Sequence, residues 1–456
     1  MYFSTINPAT DEILAKYELM QERQVLNIAE QTHNAQEHWK RLTLAQRFPF
    51  FKKLAEQLRR EKEAYATLIT KEMGKPIRES RAEVEKCAFL AEALIDKAPQ
   101  WLAEEKVSAD GLDNLIIFEP LGVVFIIMPW NFPFWQSFKV ALPPLMAGNG
   151  ILLKHARNVT GCSLAIEEVF KKAGFPPHLF RSIIVDHSLT EGIIASSHIH
   201  ACSLTGSEKA GQLVGELSGK HLKKVVLELG CSDPFIVLED ADIVSTARNA
   251  VLGRFTNAGQ VCISSKRFFV SRKIASVFID HFVALTKQLI IGDPLDEKTQ
   301  LGPLVNKKAV DEMEAFVQEA VKKGAKILTG GKPWGSNGAY FEPTILSEVT
   351  EEMQVSCKET FGPLAPIFMV ETEEEMLRLA NNHCYGLAGS IWTKDIERGK
   401  ALARKLETGG VFINSIVKSH PSVPLGGIKR SGFGRELSHY GIKEFVNVKS
   451  INVYRK

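Results

Sequence analysis

Between Gln21 and about Glu105, apolar residues return at the spacings of a helix face. Leu54, Leu58, Tyr65, Leu68 and Ile69 lie three, four or seven positions apart, with Lys, Arg and Glu between them. Gly74-Lys75-Pro76 interrupts this helical stretch, as a helix end followed by proline does. The texture then changes to short apolar runs at 122–128, 151–153, 180–185, 200–204, 225–229 and 235–238. Helical segments such as 162–173 and 208–218 separate most of them. This alternation predicts a parallel sheet covered on both faces, with ligands bound outside the carboxyl ends of its strands.

A second strand-helix series runs from about Ser232 to Pro421, with apolar runs at 268–270, 327–328, 364–370, 389–392 and 410–413. It predicts a second domain of similar build. Residues 445–454 alternate in part and end the chain as a strand-like tail with no evident partner of its own, which suits addition to a neighbouring strand or subunit.

Composition narrows the class. The chain's 456 residues suggest two or three domains, and 45% hydrophobic with 24% charged residues is an ordinary soluble composition. Its 56 Lys and Arg are offset by 53 Asp and Glu, giving a net charge of +3 and no electrostatic case for nucleic acid. The polar N-terminus lacks a signal pattern, and no apolar run approaches a membrane span. Seven scattered cysteines form no Cys-x-x-Cys pair and no metal-ligand spacing, so no metal is expected. Free thiols in a reducing cytoplasm are the simplest reading.

The strand ends carry the candidate chemistry. After the first run stands Met128-Pro129-Trp130-Asn131-Phe132-Pro133. An asparagine held between two prolines suits donation to developing negative charge, although a proline-bounded turn needs no such role. Lys154, Ala156 and Arg157 follow the second run, where two cations suit a nucleotide's ribose and phosphate as well as a solvated strand end does. Thr205-Gly206-Ser207, with Gly211 beyond, offers backbone amides and a helix N-terminus to a phosphate; plain helix capping by Ser207 competes. Glu228 ends an apolar strand, where a carboxylate must be neutralised, paired or poised as a base. Asn257-Ala258-Gly259-Gln260-Val261 leads into Cys262, which taken alone reads as a small core residue.

Together these segments resemble the aldehyde dehydrogenase superfamily, from Ile6-Asn7-Pro8-Ala9-Thr10 to the C-terminal strand. The carrying motifs are Pro129-Trp130-Asn131-Phe132-Pro133, Thr205-Gly206-Ser207, Leu227-Glu228-Leu229-Gly230, Gly259-Gln260-Val261-Cys262 and Glu359-Thr360-Phe361-Gly362-Pro363. The resemblance implies an α/β fold of two parallel-sheet domains plus a strand arm for oligomerisation. A Rossmann-like dinucleotide-binding domain is expected over 1–110 and 126–231, a catalytic domain over 232–421, and oligomerisation elements at 111–125 and 436–456. At least a homodimer is expected.

By the same resemblance Cys262 attacks the aldehyde, Asn131 and the Cys262 amide hold the oxyanion, and Glu228 activates the water that hydrolyses the thioester. Coenzyme A-acylating relatives generally lack that glutamate, so a free acid is the expected product. NADP or NAD is the implied cofactor. Lys154 is placed on its ribose, Gly206 and Ser207 on its pyrophosphate, and Glu359 and Phe361 at the nicotinamide ribose. Pro129, Trp130, Ala156 and Gly211 complete that set. Arg157 stands where many NAD-preferring members carry glutamate, which favours a 2′-phosphate and hence NADP.

For the substrate, Trp135 and Lys139 are expected to face the tunnel, with Lys139 pairing with a carboxylate as arginine does in succinate-semialdehyde members. Thr256 replaces a second arginine of some of those members, and Ser419 is expected to supply a hydroxyl instead. Succinate semialdehyde is therefore the expected substrate, beside glutarate semialdehyde or small aliphatic aldehydes; a non-catalytic binding protein is the remote alternative. Cys231 departs from the family's usual glycine, through simple tolerance or a redox link to Cys262.

Overall fold

The computed structural model of the chain describes residues 1–109 and 112–453. The N-terminal helical stretch is four helices, Glu22–Trp39, Leu44–Arg60, Lys62–Met73 and Ile77–Trp101. Thr43 starts the second with a reciprocal cap, accepting from Gln46 N at 3.3 Å while the Gln46 side chain accepts from Thr43 N at 2.8 Å. Gly74 ends the third at φ 83°, a conformation that favours glycine, and a Cβ there would lie 2.6 Å from Pro303. Two features depart from expectation. Residues 2–18 form a hairpin, Tyr2–Ile6 against Ile13–Glu18, and the helical stretch stops at Trp101, giving way to the strand Glu105–Ala109. Both are short exposed strands whose alternation is too weak to read.

Two large sheets follow. The first has six strands in the order Gly432–Phe433, Lys224–Glu228, Ala201–Thr205, Val123–Met128, Gly150–His155 and Phe180–Ile183. All pairings are parallel except that of Gly432–Phe433, which runs antiparallel to Lys224–Glu228. The chain leaves Val123–Met128 in one direction and returns on its other side at Ala201–Thr205, so a crevice opens at their carboxyl ends. The strand Val123–Met128 lies whole in this sheet, so a boundary between residues 125 and 126 would cut it.

The second sheet has seven strands, Lys326–Thr329, Thr344–Ser347, Leu364–Val370, Ser265–Ser271, Asp233–Val237, Ala388–Trp392 and Gly410–Ile413, parallel apart from the first. Asp233–Val237, close behind Glu228 in sequence, thus belongs inside this sheet and not to the first series of runs. Each sheet is backed by its own buried core, one around Phe134, Phe138 and Phe170, the other around Phe235, Phe268 and Trp392.

The tail strand Val446–Val453 pairs antiparallel with Leu112–Pro120 of the same chain, which pairs in turn with Glu105–Ala109. The expectation of an unpartnered tail is corrected: its register partner precedes it by over three hundred residues, a pairing that local pattern cannot reveal. Tyr454, and the boundary positions 110, 111 and 456, lie outside the described residues. Among the described residues no helix is long and apolar enough to cross a membrane.

Candidate active site

Cys262 follows a tight left-handed turn. Asn257, Ala258 and Gly259 all have positive φ, 52°, 52° and 75°. For the two non-glycine residues this costs on the order of 1–2 kcal/mol each. The turn is held from several sides. Asn257 N donates to Glu79 Oε2 at 2.9 Å, and Val305 N donates to Gln260 Oε1 at 2.8 Å. The fully buried Arg254 donates to Ser264 Oγ at 2.7 Å and Thr360 O at 2.9 Å, tying the turn to the 359–363 loop. A Cβ on Gly259 would lie 2.3 Å from Gly362 O. Glycine is therefore required by the approach of these two loops, and not by room for a substrate.

The turn brings Cys262 to the wall of a cavity of about 430 Å³ at the crevice of the first sheet. Pro129, Trp130, Asn131, Gly206, Ser207, Glu359 and Phe361 line the same cavity, so eight of the expected residues converge there with Cys262 included. Asn131 Nδ2 donates one hydrogen to Gln260 O at 3.0 Å, leaving a second for another acceptor. Among the cysteines only Cys262 lines the cavity. Cys87, Cys162, Cys202 and Cys231 are buried, and Cys357 and Cys384 are exposed elsewhere. Burial raises the Cys262 thiol above its ordinary pKa, with Glu228 and Glu359 adding to the rise and Lys139 and Lys266 opposing it.

The residues that could hold a dinucleotide divide into two groups. Trp130 and Phe361 meet edge to face at 5.7 Å across the cavity. Gly206 has only a leucine methyl within 4 Å of a would-be Cβ, at 3.6 Å, and the buried Thr205 hydroxyl beside it has no partner. Ser207 caps the helix Glu208–Lys220 through Ala210 N at 3.3 Å, so the capping reading of this serine is correct and the amides around it form a helix N-terminus. Lys154, Ala156 and Arg157 stand outside the cavity wall at the end of the neighbouring strand. Burial, and then the Arg157 charge, hold the Lys154 amine down to about 8. Arg157 pairs with Asp186. Gly211 lies outside the cavity wall, and a Cβ there would lie 2.4 Å from Leu229, so this glycine lets the helix pack closely on the strand.

Glu228 ends its strand buried, with Oε1 lacking a hydrogen-bond partner. Burial first, and then the neighbouring Glu436, push its carboxyl up to about 8, against the pull of Lys139. Lys139, expected to pair with the substrate, has a partner within the protein. Its amine is buried in an ion pair with Glu436, a residue on the segment that returns to the first sheet. Burial works against the lysine's charge, yet Glu436, Cys262 and Glu228 together hold its pKa above the ordinary value. Its positive charge is already matched inside the protein. Thr256 Oγ1 donates to Leu252 O at 2.7 Å, and Ser419 Oγ accepts from Lys86 Nζ at 2.6 Å.

Cys231 points to Lys266 Nζ, 2.9 Å from its sulfur, and to the Cys262 carbonyl. Lys266 is fully buried and also donates to Glu359 Oε1 at 2.7 Å and Cys262 O at 3.1 Å. Sequence reading missed Arg254, Lys266, Glu436 and Lys86. The Lys266-Arg267 pair entering an apolar strand was the one available signal, since charges there need buried partners.

A family model described as the aldehyde dehydrogenase family matches residues 1–451. A probable NADP+-dependent succinate-semialdehyde dehydrogenase of Synechocystis is 42% identical over 454 residues, 99% of each chain. The succinate semialdehyde dehydrogenase Sad of Escherichia coli, named as using NAD(P)+, is 41% identical over 98% of this chain and 97% of its own. Among solved structures, succinic semialdehyde dehydrogenase from Streptococcus pyogenes in complex with NADP+ superposes with a TM-score of 0.97 at 35% identity, covering 99% of this chain and 100% of that one.

Proposed function

The chain belongs to the aldehyde dehydrogenase family, and on that premise we propose that it oxidises succinate semialdehyde to succinate with NADP+ or NAD+. The observation that carries the proposal is a cavity whose only cysteine, Cys262, lies within electrostatic reach of Glu228, a buried carboxylate behind the cavity wall with an unpartnered oxygen. The names and near-complete coverage of the relatives support the choice of substrate.

The cavity suits a dinucleotide: a helix N-terminus, an unpartnered Thr205 hydroxyl and an open Gly206 lie at one end, and Trp130, Phe361 and Glu359 line its wall. Lys154, with its amine beside the Arg157 charge, favours an anionic ribose substituent at the adjoining strand end, where an incoming anion would share Arg157 with Asp186. Held by these residues, NAD(P)+ would supply the hydride acceptor that the oxidation needs.

The protein's own steps are these. Cys262, as thiolate, bonds to the aldehyde carbon, and the carbonyl oxygen takes the negative charge. The free Asn131 N–H and the Cys262 amide receive that oxygen, an effect worth roughly 3–4 kcal/mol per donor. After oxidation the carbon is a Cys262 thioester. Glu228 takes a proton from water, the resulting hydroxide adds to the thioester carbon, and the sulfur leaves with the acid released.

Kinetics with succinate semialdehyde, butanal and benzaldehyde, each with NADP+ and NAD+, test the proposal. Succinate semialdehyde with NADP+ is expected to give the highest kcat/KM, and Cys262→Ser to abolish turnover with every pair. A Cys262→Ser enzyme near wild-type speed refutes the mechanism, and a preference for benzaldehyde or butanal refutes the substrate.

A further inference from the structure

The structure offers a different cation from the one the sequence singled out. Lys139 is matched by Glu436 in a buried pair, so an incoming carboxylate there meets a cation whose charge is already balanced. Lys86, on the helix Ile77–Trp101, has no ion pair among the described residues. Its ammonium stacks on the Trp135 ring at 4.2 Å and donates to Ser419 Oγ at 2.6 Å. Trp135 immediately precedes Gln136, whose Nε2 lies 4.0 Å from Cys262 Sγ, so the lysine adjoins the nucleophile's own surroundings.

We propose that Lys86, Ser419 and Trp135 form the subsite that receives the carboxylate of a short oxo-acid substrate. The inference rests on the succinate-semialdehyde reading and names the group that selects it. The chemistry is that of a two-oxygen acceptor. An ammonium has three N–H donors, one of which Ser419 takes. The Ser419 hydroxyl, accepting from Lys86, keeps its own proton to donate. The pair therefore offers one donor from each residue to the two oxygens of a carboxylate, and the Trp135 ring steadies the ammonium between them.

The electrostatics point the same way. Glu83, one turn earlier on the helix, is already committed to Lys75 and to the Phe134 and Trp135 amides. Burial and then the charge of Lys139 hold the Lys86 amine down to about 8, an unfavourable setting that a bound anion relieves. A neutral aldehyde gains nothing from this arrangement.

The test compares KM and kcat/KM for succinate semialdehyde and butanal in the full-length enzyme and in Lys86→Met, Lys86→Arg and Ser419→Ala. Lys86→Met is expected to lower the succinate-semialdehyde to butanal ratio of kcat/KM on the order of ten- to hundredfold, carried by KM. Ser419→Ala should lower it less, and Lys86→Arg should restore most of it. Wild-type enzyme with no preference for the carboxylate-bearing aldehyde overturns the substrate reading and the subsite with it. A wild-type preference that Lys86→Met leaves unchanged, or an equal loss on both aldehydes that Lys86→Arg does not rescue, overturns the subsite alone.

Discussion

Two buried glutamates lie near the same helix, Pro133–Ala147: Glu83 at its N-terminus and Glu228 within electrostatic reach of Lys139 in its middle. Glu83 is 3% exposed and Glu228 is 4% exposed, so burial does not distinguish them. Their partners do. Glu83 Oε1 accepts from Phe134 N at 2.8 Å and Trp135 N at 2.9 Å, while Oε2 pairs with Lys75. It satisfies the helix N-terminus and a buried cation together. Glu228 has a backbone contact at Gly427, an oxygen with no partner, and Lys139 within electrostatic reach but already matched by Glu436. A carboxylate fully hydrogen-bonded to fixed donors is poorly placed to take a proton; one left short of partners is poised to do so. The difference separates a carboxylate that holds structure in place from one that is free to take part in the proposed chemistry.

Substitution by the isosteric amide should split the two. Glu228→Gln is expected to lower kcat by about 10²–10⁴. Reduced cofactor should still form in a burst of about one equivalent per site, because only thioester hydrolysis is lost. Its denaturant midpoint should stay near that of the parent. A steady-state kcat within tenfold of wild type would remove Glu228 as the base. Glu83→Gln should do the reverse. Leaving Lys75 buried without its counter-charge costs about 3–5 kcal/mol, read as a lower urea midpoint. Adding Lys75→Met should recover part of that loss. Unaltered stability in Glu83→Gln would erase the contrast.

The same contrast explains what could be read in the sequence. The strand-helix alternation from 122 to 413 was legible because buried parallel strands are short, nearly all-apolar runs. Asn131, Glu228 and Cys262 were legible because they sit next to proline, glycine and apolar residues in distinctive order at strand or turn ends. Lys139 and Lys86 show the limit. Both are lysines on helices, and nothing local says that Glu436, almost three hundred residues later, matches the first while a serine and a tryptophan ring meet the second. The close approaches that Gly259 and Gly211 permit, toward Gly362 and Leu229, join segments distant in sequence and were not legible in it. The antiparallel return of Gly432–Phe433, too short to carry a period, was invisible for the same cause.

The smallest expected effect is the most discriminating about how Glu228 is tuned. With its carboxyl near 8, the base form falls about tenfold per pH unit below that value, so thioester hydrolysis should weaken as pH drops. Stability has the opposite sign. A carboxyl raised in the folded state above its usual 4.5 binds a proton there that the unfolded chain has released. Its contribution is therefore full below about 4.5 and is lost as pH rises through about 8. Glu436 is the largest contributor to the rise after burial, and Lys139 opposes it. Glu436→Gln removes a like charge from Glu228 and leaves Lys139 with Glu228 and Cys262 as its anionic neighbours, two changes that act in one direction. The acidic limb of kcat should move to lower pH by on the order of one unit, with the high-pH plateau nearly kept. Pre-steady-state hydrolysis of the acyl-enzyme between pH 5.5 and 9 measures this directly. A limb that stays in place would mean that burial alone sets the Glu228 carboxyl, and that Glu436 serves only to hold Lys139, as Glu83 holds Lys75.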